Sequence, residues 1–407
     1  MCVSLLKKYF SILAWAFYDL ANQFFVLNIS SLYFVRWITV ERKIPEIIYS
    51  LFFGTSLFLV AITSPFLGRV SDMRKKYKPF LVYFTLLAII STAFMGIFKN
   101  PFLSLIFFAI ANFGTQEAIV FYNSLLIHIA HPSRIGLISG IGRVFGYSGA
   151  LIALHFTKLI YAHYGYQTVF LFTSIMFFVF SLPCMIFVKE KTKSVKFFLN
   201  KEEIKKIFKK FKFMLHEIFQ AKDLLNFLKG VFLGLCVVNT VILFMSVYAI
   251  KVLGLSNKEV VNFLIFSTFF AILGSFFSGF ISDYTGYRNS LIGVFFIWIL
   301  VLLCAIFSTS IFLIKFIGIL GGAALGASWT VTRALVTKII PSDKIGEAFG
   351  LFNLTGYLSA VVGPIFWSIV LFFFSSWGSV SYRIAFLSLV PFMILGIIFI
   401  LRLPQIE

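Results

Sequence analysis

The sequence predicts an all-α integral membrane protein, with twelve transmembrane helices in two pseudo-symmetric six-helix halves. Three observations predict it. Hydrophobic residues make up 60% of the 407 residues, charged residues only 12%, and mean hydropathy is +1.00, which leaves too little polar surface to coat a water-soluble globule of this size. Twelve apolar runs are long enough, at about 20 residues each, to cross a hydrocarbon core of about 30 Å. One polar loop also occurs twice, 211 residues apart, as GRVSDMRKKYKPFL from Gly68 to Leu81 and GFISDYTGYRNSLI from Gly279 to Ile292. A loop repeated half a chain apart between apolar runs marks two homologous membrane halves.

The first span, 10–37, follows Lys7 and Lys8 and so begins like a signal peptide. It is long and aromatic, carries Asp19 and lacks a small-residue cleavage site, which makes it a retained span. Spans two and three, 46–68 and 79–98, flank the first copy of the loop, in which Gly68 leads, Asp72 follows four residues later and Arg74 comes next. Spans four and five, 102–128 and 135–160, flank IAHPSRIGLISG (Ile129 to Gly140), and span six, 166–188, closes the first half. Span seven is 224–250. Spans eight and nine, 259–281 and 289–308, flank the second loop with Gly279, Asp283 and Arg288. Spans ten and eleven, 311–338 and 345–374, flank IIPSDKIGEAFG (Ile339 to Gly350), which aligns with the earlier segment with a one-residue gap; span twelve is 381–402. An even number of spans per half makes the halves parallel repeats about an axis along the membrane normal. The expected domains are 1–188, a basic cytoplasmic linker at 189–223, and 224–407.

The net charge of +20 follows membrane topology rather than nucleic-acid binding. With both termini cytoplasmic, the inner segments hold 23 Lys and Arg and the outer segments nine, the asymmetry of the positive-inside rule. Eleven of the inner lysines fall in 189–222, where Ile204, Ile207, Phe208, Phe211, Leu215 and Ile218 recur at helical spacing. That pattern predicts an amphipathic helix over 200–220, lying on an anionic inner leaflet or serving as a solvated tether. The absence of a transit peptide or long extramembrane tails fits a bacterial inner membrane.

Enzyme chemistry finds no support. The four cysteines (Cys2, Cys184, Cys236, Cys304) and five histidines (His128, His131, His155, His163, His216) have no metal-ligand spacing, and no Walker loop, His-Glu-x-x-His motif or nucleophile elbow is present. The expectation is a monomer without cofactor or metal whose partners are a small-molecule substrate and the bilayer.

The loop at Gly68 to Lys76 resembles that between spans two and three of the major facilitator superfamily. More narrowly, WAFYDLANQFF (Trp15 to Phe25), ANFGTQEAIVFYNSLL (Ala111 to Leu126), ISGIGRVFGYSGA (Ile138 to Ala150), Thr332-Arg333 and EAFGLFNLTGYLSAVVGP (Glu347 to Pro364) resemble the autophagy-related vacuolar amino-acid effluxers and their bacterial relatives. The chain departs from those relatives at Thr355-Gly356-Tyr357, where they carry Ser-Gly-Lys, and at Ile127-His128, where they carry Pro and an acid. The resemblance implies a twelve-span facilitator fold and export of amino acids or similar metabolites. It also implies that the loop aspartates help hold the inner ends of neighbouring helices together in the outward-facing state, with Gly68 and Gly279 permitting close approach.

Ionisable groups at membrane depth are costly and mark candidate sites. Asp19, Glu117 and Arg143, in spans one, four and five, lie roughly 12 to 17 Å from the inner ends, and Arg333 in span ten lies roughly 8 Å in. Glu117 is the first candidate for proton coupling: burial favours its neutral form and a nearby cation its charged form. A Glu117–Arg143 ion pair is the structural alternative, and Asp19 is a second possible partner for Arg143. Arg333 is expected to snorkel or tie helices together, with substrate carboxylate binding as the functional alternative. Neutral polar candidates for the substrate cavity are Asn22, Gln116, Tyr122, Asn123, Asn239, Asn353 and Tyr357, with Trp15 and Tyr18 beside them. The resulting reading is a secondary transporter working by alternating access, exporting amino acids or similar small metabolites with proton coupling. A drug or lipid exporter is the alternative within transport, and a non-transporting sensor or scaffold the alternative outside it.

Overall fold

The structure, a computed structural model, describes residues 2–44, 46–98, 100–190, 222–307 and 310–405. The amphipathic helix expected at 200–220 lies outside the described residues. Among the described residues all regular structure is helical, and eleven helices are long and apolar enough to cross a membrane. The longest, Ile135–Phe187, is two spans in one: Gly165 sits at φ 76° and ψ −172°, a backbone that side-chain-bearing residues rarely adopt and that breaks the helix.

Twelve spans result, in register with those read from the sequence. They are α1 (Cys2–Phe25), α2 (Glu46–Arg74), α3 (Lys78–Ile97), α4 (Pro101–Ser124), α5 (135–164), α6 (166–187), α7 (Lys222–Lys251), α8 (Asn257–Thr285), α9 (Tyr287–Phe307), α10 (Ile311–Ile339), α11 (Ile345–Phe373) and α12 (Ser379–Leu401). Beyond Phe25 the first span runs on as π-helical turns at Val26–Leu32 and Trp37–Glu41 around a single α-turn. The last span is interrupted between Leu387 and Val390, just before Pro391.

Local chemistry explains several of the starts. Asn100 Oδ1 accepts from the amides of Phe102 (3.0 Å) and Leu103 (3.2 Å) ahead of α4, and Ser310 Oγ accepts from Leu313 (3.3 Å) ahead of α10, its counterpart in the second half. Pro101 at the first helical position lacks only an amide that the helix would leave unpaired. A capping box starts α8: Ser256 Oγ accepts from the Glu259 amide (3.4 Å) while Glu259 Oε2 accepts from the Ser256 amide (2.8 Å). Those bonds from Ser256 hold the Glu259 carboxyl below its usual range.

The chain divides into two compact units. The first comprises Met1–Pro132, Ile141–Phe198 and Pro341–Asn353; the second comprises Ser133–Gly140, Leu199–Ile340 and Leu354–Glu407. The first turns of α11 therefore belong to the first unit, and the first turns of α5 to the second. Packing repeats between the units. In the first, α4 lies against α2 and α3; in the second, α10 lies against α8 and α9. Large apolar side chains such as Phe58, Tyr83, Phe277 and Phe312 face outward, whereas Ser, Thr and Asn are concentrated in the interior, the distribution of a protein whose surroundings are lipid.

Candidate functional site

Each copy of the repeated loop ends in the same carboxylate clamp. In the first unit, Asp72 Oδ1 accepts from the Gly346 amide at 2.8 Å and Oδ2 from the Glu347 amide at 2.9 Å. In the second, Asp283 Oδ1 accepts from Gly136 at 2.8 Å and Oδ2 from Leu137 at 2.9 Å. Both amide pairs belong to the first turn of a helix, α11 in one case and α5 in the other. Those amides have no intrahelical acceptor and carry the positive end of the helix dipole, so a carboxylate satisfies both needs.

The glycines set the distance. A Cβ on Gly68 would stand 2.3 Å from the Gly346 carbonyl oxygen, and one on Gly279 would stand 2.4 Å from that of Gly136. A tyrosine completes each clamp. Tyr77 Oη donates to Asp72 Oδ1 at 2.7 Å and Tyr287 Oη to Asp283 Oδ1 at 2.5 Å. Burial, with the Asp72 charge next, holds the Tyr77 phenol well above its usual range, so it remains a donor. Arg69 adds an ion pair to Glu347 at 3.8 Å.

The basic residues singled out in these loops have other neighbours in the structure. The Arg74 guanidinium lies 5.8 Å from the Phe80 ring centre, and Arg288 Nη2 donates to the Leu401 carbonyl at 2.6 Å. Sequence reasoning missed the tyrosines and the receiving amides. The signal was available: an aromatic residue directly precedes a basic one in both loops, Tyr77-Lys78 and Tyr287-Arg288.

The buried charges are disposed in three separate arrangements. Arg143 lies 3.6 Å from Asp19, itself 4% exposed. Glu117, fully buried, stands against α2 instead, with its Oε1 2.5 Å from Thr63 Oγ1 and 3.1 Å from Ser64 Oγ. The structure thus gives Arg143 to Asp19 and hydroxyl partners to Glu117. Arg333 is 1% exposed, and of the two structural roles expected for it, snorkelling and a tie between helices, it makes the tie. Its Nε donates to Ser139 Oγ at 2.8 Å, its Nη2 donates to the Ser139 carbonyl, and Ser139 Oγ in turn donates to the Thr330 carbonyl at 2.9 Å. The physical reason is competition: a buried serine and its carbonyl offer two acceptors within reach, which is better than stretching to the headgroups. Thr63, Ser64 and Ser139 were not anticipated, because hydroxyls are common in membrane helices and carry little signal alone.

Three aromatic candidates form one stack. Tyr122 lies between Trp15 (ring centres 4.6 Å apart) and Tyr18 (4.9 Å). Trp15 Nε1 donates to the Tyr122 carbonyl at 3.0 Å, and the Tyr18 hydroxyl meets Thr85 Oγ1 at 2.7 Å. All three are buried, which makes them a packed layer between α1 and α4 in this conformation. Asn22 and Asn123 are buried, each with an enclosed Oδ1 that has no hydrogen-bond partner among the described residues. In the second unit, Asn239 donates to Ser359 Oγ at 3.0 Å. Gln116, Asn353 and Tyr357 are half-buried.

Comparison with known proteins agrees with this architecture. The Major Facilitator Superfamily model matches residues 12–272 and 260–407. An uncharacterized protein of Aquifex aeolicus (strain VF5) is 28% identical over 375 residues, covering 90% of both chains. A relative in Bacillus subtilis (strain 168), described as an uncharacterized MFS-type transporter, is 23% identical over 375 residues, covering 86% of both. Among solved structures, a bacterial homologue of the iron transporter ferroportin in an outward-facing state has a TM-score of 0.75 at 13% identity, covering 97% of this chain and 98% of that one. The human organic anion transporter MFSD10 has a TM-score of 0.74 at 11% identity, covering 97% and 99%. At these identities the structures establish a shared fold.

Proposed function

The chain belongs to the Major Facilitator Superfamily, and from that premise we propose that it is a secondary active transporter working by alternating access, exporting amino acids or similar small metabolites with proton coupling through Glu117. The moving bodies are the two halves, 1–188 and 224–407, joined through 189–223, with both termini cytoplasmic in a bacterial inner membrane. The observation that carries this reading is the pair of clamps at Asp72 and Asp283. A carboxylate held by two main-chain amides and a phenol is strong when formed, yet every partner can be resolvated when the helices part. Hydrogen bonds to a charged group contribute roughly 1.5–3 kcal/mol each, so a clamp suits a contact that is made and broken once per cycle.

The amino-acid assignment draws on the motif resemblance and on the polar groups of the first unit. Asp19 and Asn22, one helical turn apart on α1, offer acceptor oxygens suited to an ammonium group, and Arg143 beside Asp19 offers a cation for a carboxylate. A second reading, export of a drug or lipid, is favoured by an apolar groove of about 560 Å³ along α11, lined by Pro364, Ile365, Ile369, Phe372 and Phe373.

Flux in proteoliposomes separates the readings. Radiolabelled amino acids, presented as pools and then singly, are expected to exchange across the membrane at rates that unlabelled amino acids compete down. Efflux of hydrophobic cations without amino-acid exchange points to the second reading, and no flux of either points to a sensor or scaffold.

A further inference from the structure

The hydrogens around Glu117 can be counted, and the count closes in one way. Thr63 Oγ1 lies 2.5 Å from Glu117 Oε1 and also 2.8 Å from the Leu59 carbonyl oxygen. A threonine hydroxyl owns one hydrogen, and a carboxylate and a carbonyl are both acceptors. If that hydrogen goes to the carboxylate, the Leu59 and Thr63 oxygens face each other at 2.8 Å with nothing between them. If it goes to Leu59, the short contact to Oε1 needs a second hydrogen, and the carboxyl is the group able to carry it. A neutral carboxyl satisfies every contact: Oε1–H donates to Thr63 Oγ1, Thr63 donates to Leu59, and Ser64 Oγ, 3.1 Å away, donates to the remaining lone pair of Oε1.

A second, independent observation agrees. Oε2 is enclosed and has no hydrogen-bond partner among the described residues. An unpartnered carbonyl oxygen is a modest cost, whereas an unpartnered anionic oxygen in a dry interior is a large one. No cation lies within ion-pair distance of Glu117 among the described residues. Titratable groups on the neighbouring elements are engaged elsewhere: Asp19 with Arg143, Asp72 with its two amides and Tyr77, Glu347 with Arg69, Tyr18 with Thr85, and Lys78 with the carbonyls of Ile186 and Val188.

Ser64 also belongs to the face of α2 that meets α11. Ser64, Gly68 and Asp72 recur every four residues and so lie along one stripe. A Cβ on Gly350 would stand 2.8 Å from the Ser64 carbonyl oxygen, Gly68 touches Gly346, and Asp72 holds the first amides of α11. Glu117 thus grips α2 at one end of the contact that the Asp72 clamp fastens at the other.

We infer that Glu117, Thr63 and Ser64 form a proton-holding site, and that the α2–α11 contact is closed when this site is loaded and opens when the proton leaves. The inference rests on the transporter reading above. When the proton passes from Oε1 to water, both carboxylate oxygens require donors. Ser64 supplies one and the Thr63 hydrogen is committed to Leu59, so water must enter between α2 and α4. That displaces Ser64 and Pro65 from Gly350. In the second unit the residue corresponding to Glu117 is Ala327, which cannot hold a proton.

The test needs no substrate. Infrared spectra of the purified full-length protein should contain, at neutral pH, a protonated-carboxyl carbonyl band that is missing from Glu117→Gln. Thr63→Val should shift that band and Thr63→Ser should leave it in place, a response that a purely structural threonine would not produce. Hydrogen exchange at 345–348, corrected for intrinsic rate, should rise at least tenfold as alkaline pH removes the band, while exchange at 135–138 stays constant. In Glu117→Gln, 345–348 should stay protected throughout. Absence of the band at neutral pH, or an equal alkaline rise in wild type and Glu117→Gln, overturns the inference. Amino-acid flux without the band contradicts this inference alone, and the band without any flux contradicts the proposed function alone.

Discussion

At the scale of single residues, the loop between α2 and α3 has one conformational flaw that its repeat has repaired. Lys75 sits at φ 52°, whereas the residue 211 positions later is Gly286, at φ 82°. A side chain in that region costs roughly 1–2 kcal/mol, and glycine is free of that cost. Lys75→Gly is therefore expected to stabilise the protein by about 1 kcal/mol, read as a higher unfolding temperature in detergent. Gly68→Ala should do the reverse, since its new methyl would stand 2.3 Å from a carbonyl oxygen on backbone that cannot turn aside. Asp72→Asn keeps one acceptor and loses the charge. Hydrogen exchange at Gly346 and Glu347 should then speed up by roughly tenfold or more, as expected for charge-assisted bonds of about 1.5–3 kcal/mol. Unchanged exchange in that variant would mean that the clamp contributes nothing to closure.

At the scale of elements, the starts of helices are where sequence reasoning was most and least informative. Asn100, Ser310 and the Ser256–Glu259 box are local signals, because a cap and the amides it satisfies lie within a few residues. The capping carboxyl of Glu259 is held below its usual range, so the box is intact at neutral pH and lost as pH falls through that lowered value. Mild acid should accordingly fray the first turn of α8, detectable as faster exchange of the Glu259 amide, and Glu259→Gln should remove the pH dependence.

The starts of α5 and α11 were legible only in part. The aspartates stood out by repetition, but their receiving amides lie far along the chain, 274 positions away from Asp72 for Gly346, and amides carry no sequence signature. The pairing of Arg143 with Asp19 was likewise open, because two carboxylates at similar depth compete and helix rotation, which hydropathy does not encode, decides. Arg333 was open for a related reason. Its distance from the end of α10 allowed either snorkelling or a tie between helices, and a serine on another helix supplied the closer acceptors.

At the scale of the whole molecule, the twelve spans and their duplication were plain in the sequence because lipid leaves so few alternatives: every backbone amide must be satisfied within a helix. The direct run of α5 into α6 turns on a single residue, Gly165. Duplication also supplies a natural control. Both units carry the clamp, the glycines and the tyrosine, but among the described residues only the first carries a buried carboxyl behind the stripe; in the second, the guanidinium of Arg333 holds Ser139, next to Gly140. Two similar contacts, one backed by a neutral carboxyl and the other by a guanidinium, have an asymmetry that a perfect repeat would lack. Arg333→Gln is expected to raise exchange at 135–138 and leave 345–348 unchanged, the mirror image of what alkaline pH should do in the wild type.

Proton coupling through Glu117 is most directly tested by adding amino acids to proteoliposomes that contain an internal pH dye, with amino-acid exchange followed in parallel by radiolabel. Wild type should change the internal pH when an amino acid is added, and Glu117→Gln, whose α2–α11 contact no proton loss can open, should exchange little labelled amino acid and leave the pH unmoved. A pH change that persists undiminished in Glu117→Gln would contradict the account and place the coupling proton elsewhere.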